Sequence, residues 1–137
     1  MPVKHKILIV DDDADFAEAL SSFLEANGYQ VLQARDGTEG LRLAKTQKPD
    51  LILMDIVMRE RTEGFFTIQE IRHTPGLEDV PVFVVSSIYS QVPGFRVMPE
   101  ASWLAHDDFL AKPIDPPELL EKVRTRLAQR TAKEVAS

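Results

Sequence analysis

What most constrains this chain is a recurring pattern: a short unbroken apolar run, then helix-forming amphipathic sequence, then another apolar run. KILIV (6–10), DLILMD (50–55) and VPVFVV (80–85) are continuous rather than alternating, as strands buried on both faces are. QVLQAR (30–35) is weaker and more polar, which suits a strand near a sheet edge, and DFLAKPI (108–114) reads as a fifth strand. Between them, Phe16, Ala19, Leu20, Phe23 and Leu24 recur at helical spacing along 14–27, with Gly28 as the stop. Leu41 and Ala44 mark a short helix within 36–49, ended by Pro49. Phe65, Ile68 and Ile71 mark a third over 64–74, broken by Pro75-Gly76. A long final helix spans 116–130 with proline at its start. Residues 88–107 are interrupted by Pro93, Gly94 and Pro99, and only 99–106 looks helical. Strands alternating with helices imply right-handed crossovers and a parallel sheet covered on both faces. The expected domain is 5–130, with 131–137 a frayed tail.

At 137 residues the chain is one domain, large enough to bury about two-thirds of its unfolded surface. A hydrophobic fraction of 44% with 28% charged residues is globular and argues against a disordered chain. The net charge of −6 argues against direct nucleic-acid binding, which is mainly electrostatic. The absence of cysteine removes disulfides, thiolate metal sites and Cys nucleophiles, and suits a reducing compartment. No apolar run approaches the ~20 residues of a membrane span. The opening MPVKHKILIVDDD meets acids where a signal peptide would continue. The expectation is a soluble, cytoplasmic protein.

In sheets of this kind ligands bind beyond the carboxyl ends of the strands. There the sequence sets Asp11, Asp12 and Asp13 after the first strand, and Asp55 after the third. Ser86 and Ser87 follow the fourth strand, and Lys112-Pro113 lie at the fifth. Asp13 and Asp15 precede a helix and suit capping. Asp55 precedes Ile56-Val57-Met58 rather than a helix, and a lone Lys112 is an unusual strand tip. Carboxylates within several Å of one another repel by a few kcal/mol at an effective dielectric of ~20. Lys112 offsets one charge, and a hard divalent ion such as Mg²⁺ would fill the deficit, with a proton held by one acid as the rival solution. Such an edge suits a carboxylate nucleophile beside a metal, with a hydroxyl and a cation to receive phosphoryl oxygens.

Taken in order, ILIVDDD, DLILMD, PVFVVSS and DDFLAKP resemble the response-regulator receiver domains of bacterial two-component signalling, over roughly residues 5–128. The resemblance implies a flavodoxin-like, doubly wound α/β fold with five parallel strands in the order 2-1-3-4-5 and five helices. It implies that Asp55 is the phosphoacceptor for a histidine kinase or histidine phosphotransfer protein. It further implies that Asp11, Asp12, Asp55 and the Val57 carbonyl hold Mg²⁺. Ser86 and Lys112 match the family's hydroxyl and lysine that engage the phosphoryl group, and Phe109 its switching aromatic, plain core being the alternative. The output would be protein binding through the fourth helix, fifth strand and fifth helix, phosphoryl relay to a histidine phosphotransfer protein, or phosphate buffering. The chain is then expected to be a stand-alone phosphoacceptor rather than a multiple-turnover enzyme.

The departures are local. Arg59 stands where receivers usually carry proline, and RERTEG reaches Gly64 about one residue late. Arg59 and Arg61 would either modulate docking and phosphate lifetime or form a solvated loop. The Ser86–Lys112 interval is long for the family, Ser87 replaces a smaller residue, and Trp103 reads as core, with an exposed partner contact as the alternative. Two other functions compete: a receiver-like scaffold that takes no phosphate, and a haloacid-dehalogenase-type phosphohydrolase using the Asp11-x-Asp13 spacing. The latter family has Thr or Val where Asp15 stands, and usually a longer chain. A dinucleotide site is opposed by DDDAD where a glycine-rich loop would have to be.

Overall fold

A computed structural model describes residues 5–55, 63–86, 108–111 and 114–136, with backbone alone at 63–66, 86, 108–109, 111 and 130–136. Five strands, β1 (Lys6–Val10), β2 (Gln30–Ala34), β3 (Leu51–Met54), β4 (Val82–Ser86) and β5 (Asp108–Ala111), form one sheet. All neighbours are parallel, in the order β2-β1-β3-β4-β5. The described helices are α1 (Ala14–Ala26), α2 (Gly37–Gln47), α3 (Glu63–Arg72) and a C-terminal helix (Pro116–Ala136). The helix read from sequence at 99–106 lies outside the described residues, as do Trp103, Ser87, Arg59 and Arg61.

Strand residues alternate between two cores, as the two-residue period of a pleated strand requires. Ile7 and Ile9 of β1, with Leu51 and Leu53 of β3, join the cluster shared with α1 and the C-terminal helix. Leu8, Val10, Ile52 and Met54 join the opposite cluster, with Ala44 of α2 and Ile68 and Ile71 of α3. Both central strands are therefore buried throughout, which is why their sequences are apolar without alternation. β2 stands at the edge, and Gln30 and Gln33 are exposed there.

Local chemistry fixes where each helix begins and ends. Asp13 caps α1, its Oδ1 accepting the Phe16 amide at 3.1 Å. At the other end Gly28 takes φ +95°, while the Tyr29 and Gly28 amides donate to Leu24 O and Glu25 O at 3.2 and 3.1 Å. That is a Schellman closure, and glycine is the residue that enters the left-handed region without strain. Asp36 caps α2 through the Glu39 amide at 2.8 Å, and the Glu39 carboxylate reaches back to the Arg35 amide at 3.0 Å. Gly40 lets α2 approach β1: a Cβ built there would lie 2.8 Å from Val10 Cγ2, so a larger residue would press on the strand residue just before Asp11. Arg72 ties the end of α3 to the chain entering β4, donating to Val80 O at 2.6 Å and Glu78 O at 3.1 Å.

Two expectations shift. Ala19 is exposed, whereas Ala17 and Ser21 are buried, so the inward arc of α1 runs through 17, 20, 21 and 24. The final helix continues to Ala136, through TAKEVA, which holds no glycine or proline to stop it. Among the described residues, no helix is long and apolar enough to cross a membrane.

Ser21 is 3% exposed, and among the described residues its hydroxyl has no hydrogen-bond partner. Replacing it by alanine removes an unsatisfied buried oxygen and improves helix propensity. Ser21→Ala is therefore expected to raise the unfolding free energy by about 1 kcal/mol in urea denaturation.

Candidate functional site

The register of the sheet makes the site. β1 and β3 are paired so that Val10 faces Met54, and one further step sets Asp11 beside Asp55. Alternation sends both carboxylates to the α1 side, since Ile7, Ile9, Leu51 and Leu53 point that way. The backbone holds them there. The Asp11 amide donates to Ala34 O at 3.0 Å, and the Asp55 amide to Val10 O at 2.9 Å, continuing the ladder one residue past each strand. Asp11 is 2% exposed and Asp55 5%, while Asp12 at the turn into α1 is exposed.

One carboxylate oxygen from each of Asp11, Asp12 and Asp55 lies within 4.8 Å of the other two. At that separation a pair of like charges repels by about 3 kcal/mol for an effective dielectric near 20, and by less for pairs involving exposed Asp12. Convergent carboxylate oxygens at a half-open edge are the donor set of a hard divalent ion, and the three acids fit Mg²⁺. The Asp11 carboxylate is further fixed by the Asp13 amide, which donates to its Oδ1 at 2.9 Å.

The remaining site residues read from sequence are described less fully. Ser86 is the last residue of β4, its backbone paired with Ala111 of β5, and Phe109 pairs with Val84. Lys112 follows Ala111 but, like Val57, lies outside the described residues. Asp13, which an acid-x-acid reading would match with Asp11, is instead the exposed cap of α1. Its amide bond to Asp11 was not anticipated from sequence, although an Asp two residues before a backbone donor is the signature of an Asx turn.

A response regulator receiver domain model matches residues 7–124. The chain is 36% identical over 125 residues to the DNA-binding dual master transcriptional regulator RpaA of Synechocystis sp., covering 89% of this chain and 48% of that protein. It is 33% identical over 130 residues to PilH of Pseudomonas aeruginosa, covering 90% of this chain and 98% of PilH. Several curated relatives, RpaA among them, are matched over only about half their length. Among solved structures, the receiver domain of a Pseudomonas aeruginosa sensor histidine kinase superposes with a TM-score of 0.78 at 25% identity, covering 92% of this chain and 99% of that one. That structure carries a magnesium ion coordinated in its active-site cleft.

The crowding of charge has a measurable consequence. Asp12→Asn is expected to raise the metal-free unfolding free energy by about 1 kcal/mol by relieving like-charge repulsion. Wild type should gain about 1.4 kcal/mol at a Mg²⁺ concentration ten times its dissociation constant, and Asp12→Asn much less at the same concentration. Urea titrations with and without MgCl₂ check both.

Proposed function

The chain belongs to the response-regulator receiver family, and on that premise we propose that it accepts a phosphoryl group on Asp55 and changes its protein contacts in response. The observation that carries this reading is the convergence of the Asp11, Asp12 and Asp55 carboxylates at the carboxyl edge of the sheet. The donor is a phosphohistidine of a histidine kinase or phosphotransfer protein. A bond forms between an Asp55 carboxylate oxygen and phosphorus as the bond from phosphorus to the donor imidazole nitrogen breaks. The electron pair of that bond remains with the ring.

Asp11, Asp12, Asp55 and the Val57 carbonyl would hold Mg²⁺, which when bound would supply charge neutralisation for the phosphoryl oxygens. The chain's own residues do the positioning. The amide of Asp55 is bonded to Val10 O, so the nucleophile cannot withdraw from the edge. Asp55 is only 5% exposed, so little of its surface is open to solvent. In this reading the Ser86 hydroxyl and the Lys112 ammonium receive the new phosphoryl oxygens, and Phe109 follows the rearrangement as a switch.

A phosphoryl group adds nearly two negative charges and strong acceptor oxygens. Recruiting Ser86 and Lys112 to it shifts the population of a two-state surface formed by the fourth helix, fifth strand and final helix, where a downstream protein binds. The protein is a phosphoacceptor that assists its own phosphorylation and dephosphorylation, working in the cytoplasm within a receiver unit of 5–130. The net charge of −6 supports protein rather than nucleic-acid contacts for this segment.

Incubation with acetyl phosphate and MgCl₂, followed by intact mass spectrometry, is expected to show one added phosphoryl group. Asp55→Asn should show none, and chelation of the metal should slow the wild-type reaction at least tenfold. An unmodified wild type, or an undiminished adduct on Asp55→Asn, would overturn the assignment.

A further inference from the structure

Asp13 takes no place among the clustered acids, yet one hydrogen bond joins it to Asp11 and a second ties it to the first turn of α1. Its amide donates to Asp11 Oδ1 at 2.9 Å, and its own Oδ1 accepts the Phe16 amide at 3.1 Å. Its carbonyl also accepts the Ala17 amide at 3.0 Å, so residue 13 is tied into the first turn of α1 by side chain and main chain. Phe16 packs against the core cluster that contains Ile9 and Leu20, and Ala17 is buried within it. The result is a relay from the core through the first turn of α1 and the Asp13 amide to the Asp11 carboxylate.

We propose that Asp13 is a positioning residue for the cation site: by capping α1 it fixes the amide that orients the Asp11 carboxylate toward Asp12 and Asp55. This rests on the reading that those three acids bind Mg²⁺. Asp11 is anchored on its main-chain side by Ala34 O, a bond that does not itself engage the carboxylate. The Asp13 amide adds a bond to the carboxylate directly. Loss of the cap lets the first turn fray, and the amide leaves the place from which it donates. A group that orients a metal ligand without touching the ion typically alters affinity by about tenfold or more when lost.

The cap and the charge of Asp13 are separable. Asp13→Ser keeps an acceptor for the Phe16 amide and removes the negative charge, whereas Asp13→Ala removes both. Asp36→Ala is the matched control: it deletes the same kind of cap from α2, where the bond runs to Glu39 and to none of the clustered acids. The experiment is calorimetric titration of the four proteins with MgCl₂ alone, beside metal-free thermal unfolding of each. Asp13→Ala is expected to bind Mg²⁺ about tenfold more weakly, with Asp13→Ser and Asp36→Ala within about threefold of wild type. Asp13→Ala and Asp36→Ala should both melt earlier than wild type.

Wild-type affinity in Asp13→Ala would overturn the proposal. So would an equal loss in Asp13→Ser, which would make charge the cause, or in Asp36→Ala, which would make general loosening the cause. An absence of Mg²⁺ binding by wild type would overturn the cation-site reading itself, and the proposal with it.

Discussion

Mutual repulsion among the Asp11, Asp12 and Asp55 carboxylates is the constraint around which this fold is built. Three like charges within 4.8 Å would drift apart on any pliant scaffold. Here they cannot. Asp11 and Asp55 prolong two adjacent central strands whose side chains are buried on both sheet faces. Each acid's amide also continues the backbone ladder by one more bond. Burial of the strand bodies offsets the cost of concentrated charge at their tips, because displacing either acid would pull apolar side chains from a packed interior. The helices matter for the same reason. Gly40 allows α2 to rest on Val10, and α1 begins immediately beyond the acids, so two helices brace the residues on either side of the site.

A site stressed in this way is suited to switching. Its charge balance depends on what is bound, and a divalent cation or a phosphoryl group changes that balance by a unit or two at the carboxyl edge of the sheet. On the proposed reading, phosphorylation of Asp55 makes the edge more negative and raises the demand for donors. The hydroxyl and ammonium expected from Ser86 and Lys112 are the groups to meet it. On the same reading, a local electrostatic event becomes a change of surface because those donors stand at the end of the fourth strand and just after the fifth.

Much of this was legible in the sequence because it depends on patterns that local physics enforces. Apolar runs such as ILIV and LILM announce doubly covered parallel strands, and acids that end such runs stand out against them. The strand order and the convergence of Asp11, Asp12 and Asp55 came from that pattern together with the family resemblance, and the fold bears them out. What the pattern missed was finer. The inward arc of α1 includes Ser21 rather than Ala19, because a helix is rotated by its packing, to which hydropathy is only a partial guide. The length of the last helix was underestimated because TAKEVA looks like a polar tail while each of its residues tolerates a helix. The bond from the Asp13 amide to Asp11 depends on a turn geometry that residue type suggests but does not dictate.

The most direct test of the account is a crystal structure of the protein with Mg²⁺ and trifluoroberyllate, a stable stand-in for a phosphoryl group. Beryllium is expected to be bonded to an Asp55 carboxylate oxygen, with Mg²⁺ beside it on Asp11 and Asp12, directly or through water. Beryllium bonded to Asp11 or Asp12, or an Asp55 carboxylate left unmodified while Mg²⁺ occupies the site, would contradict it.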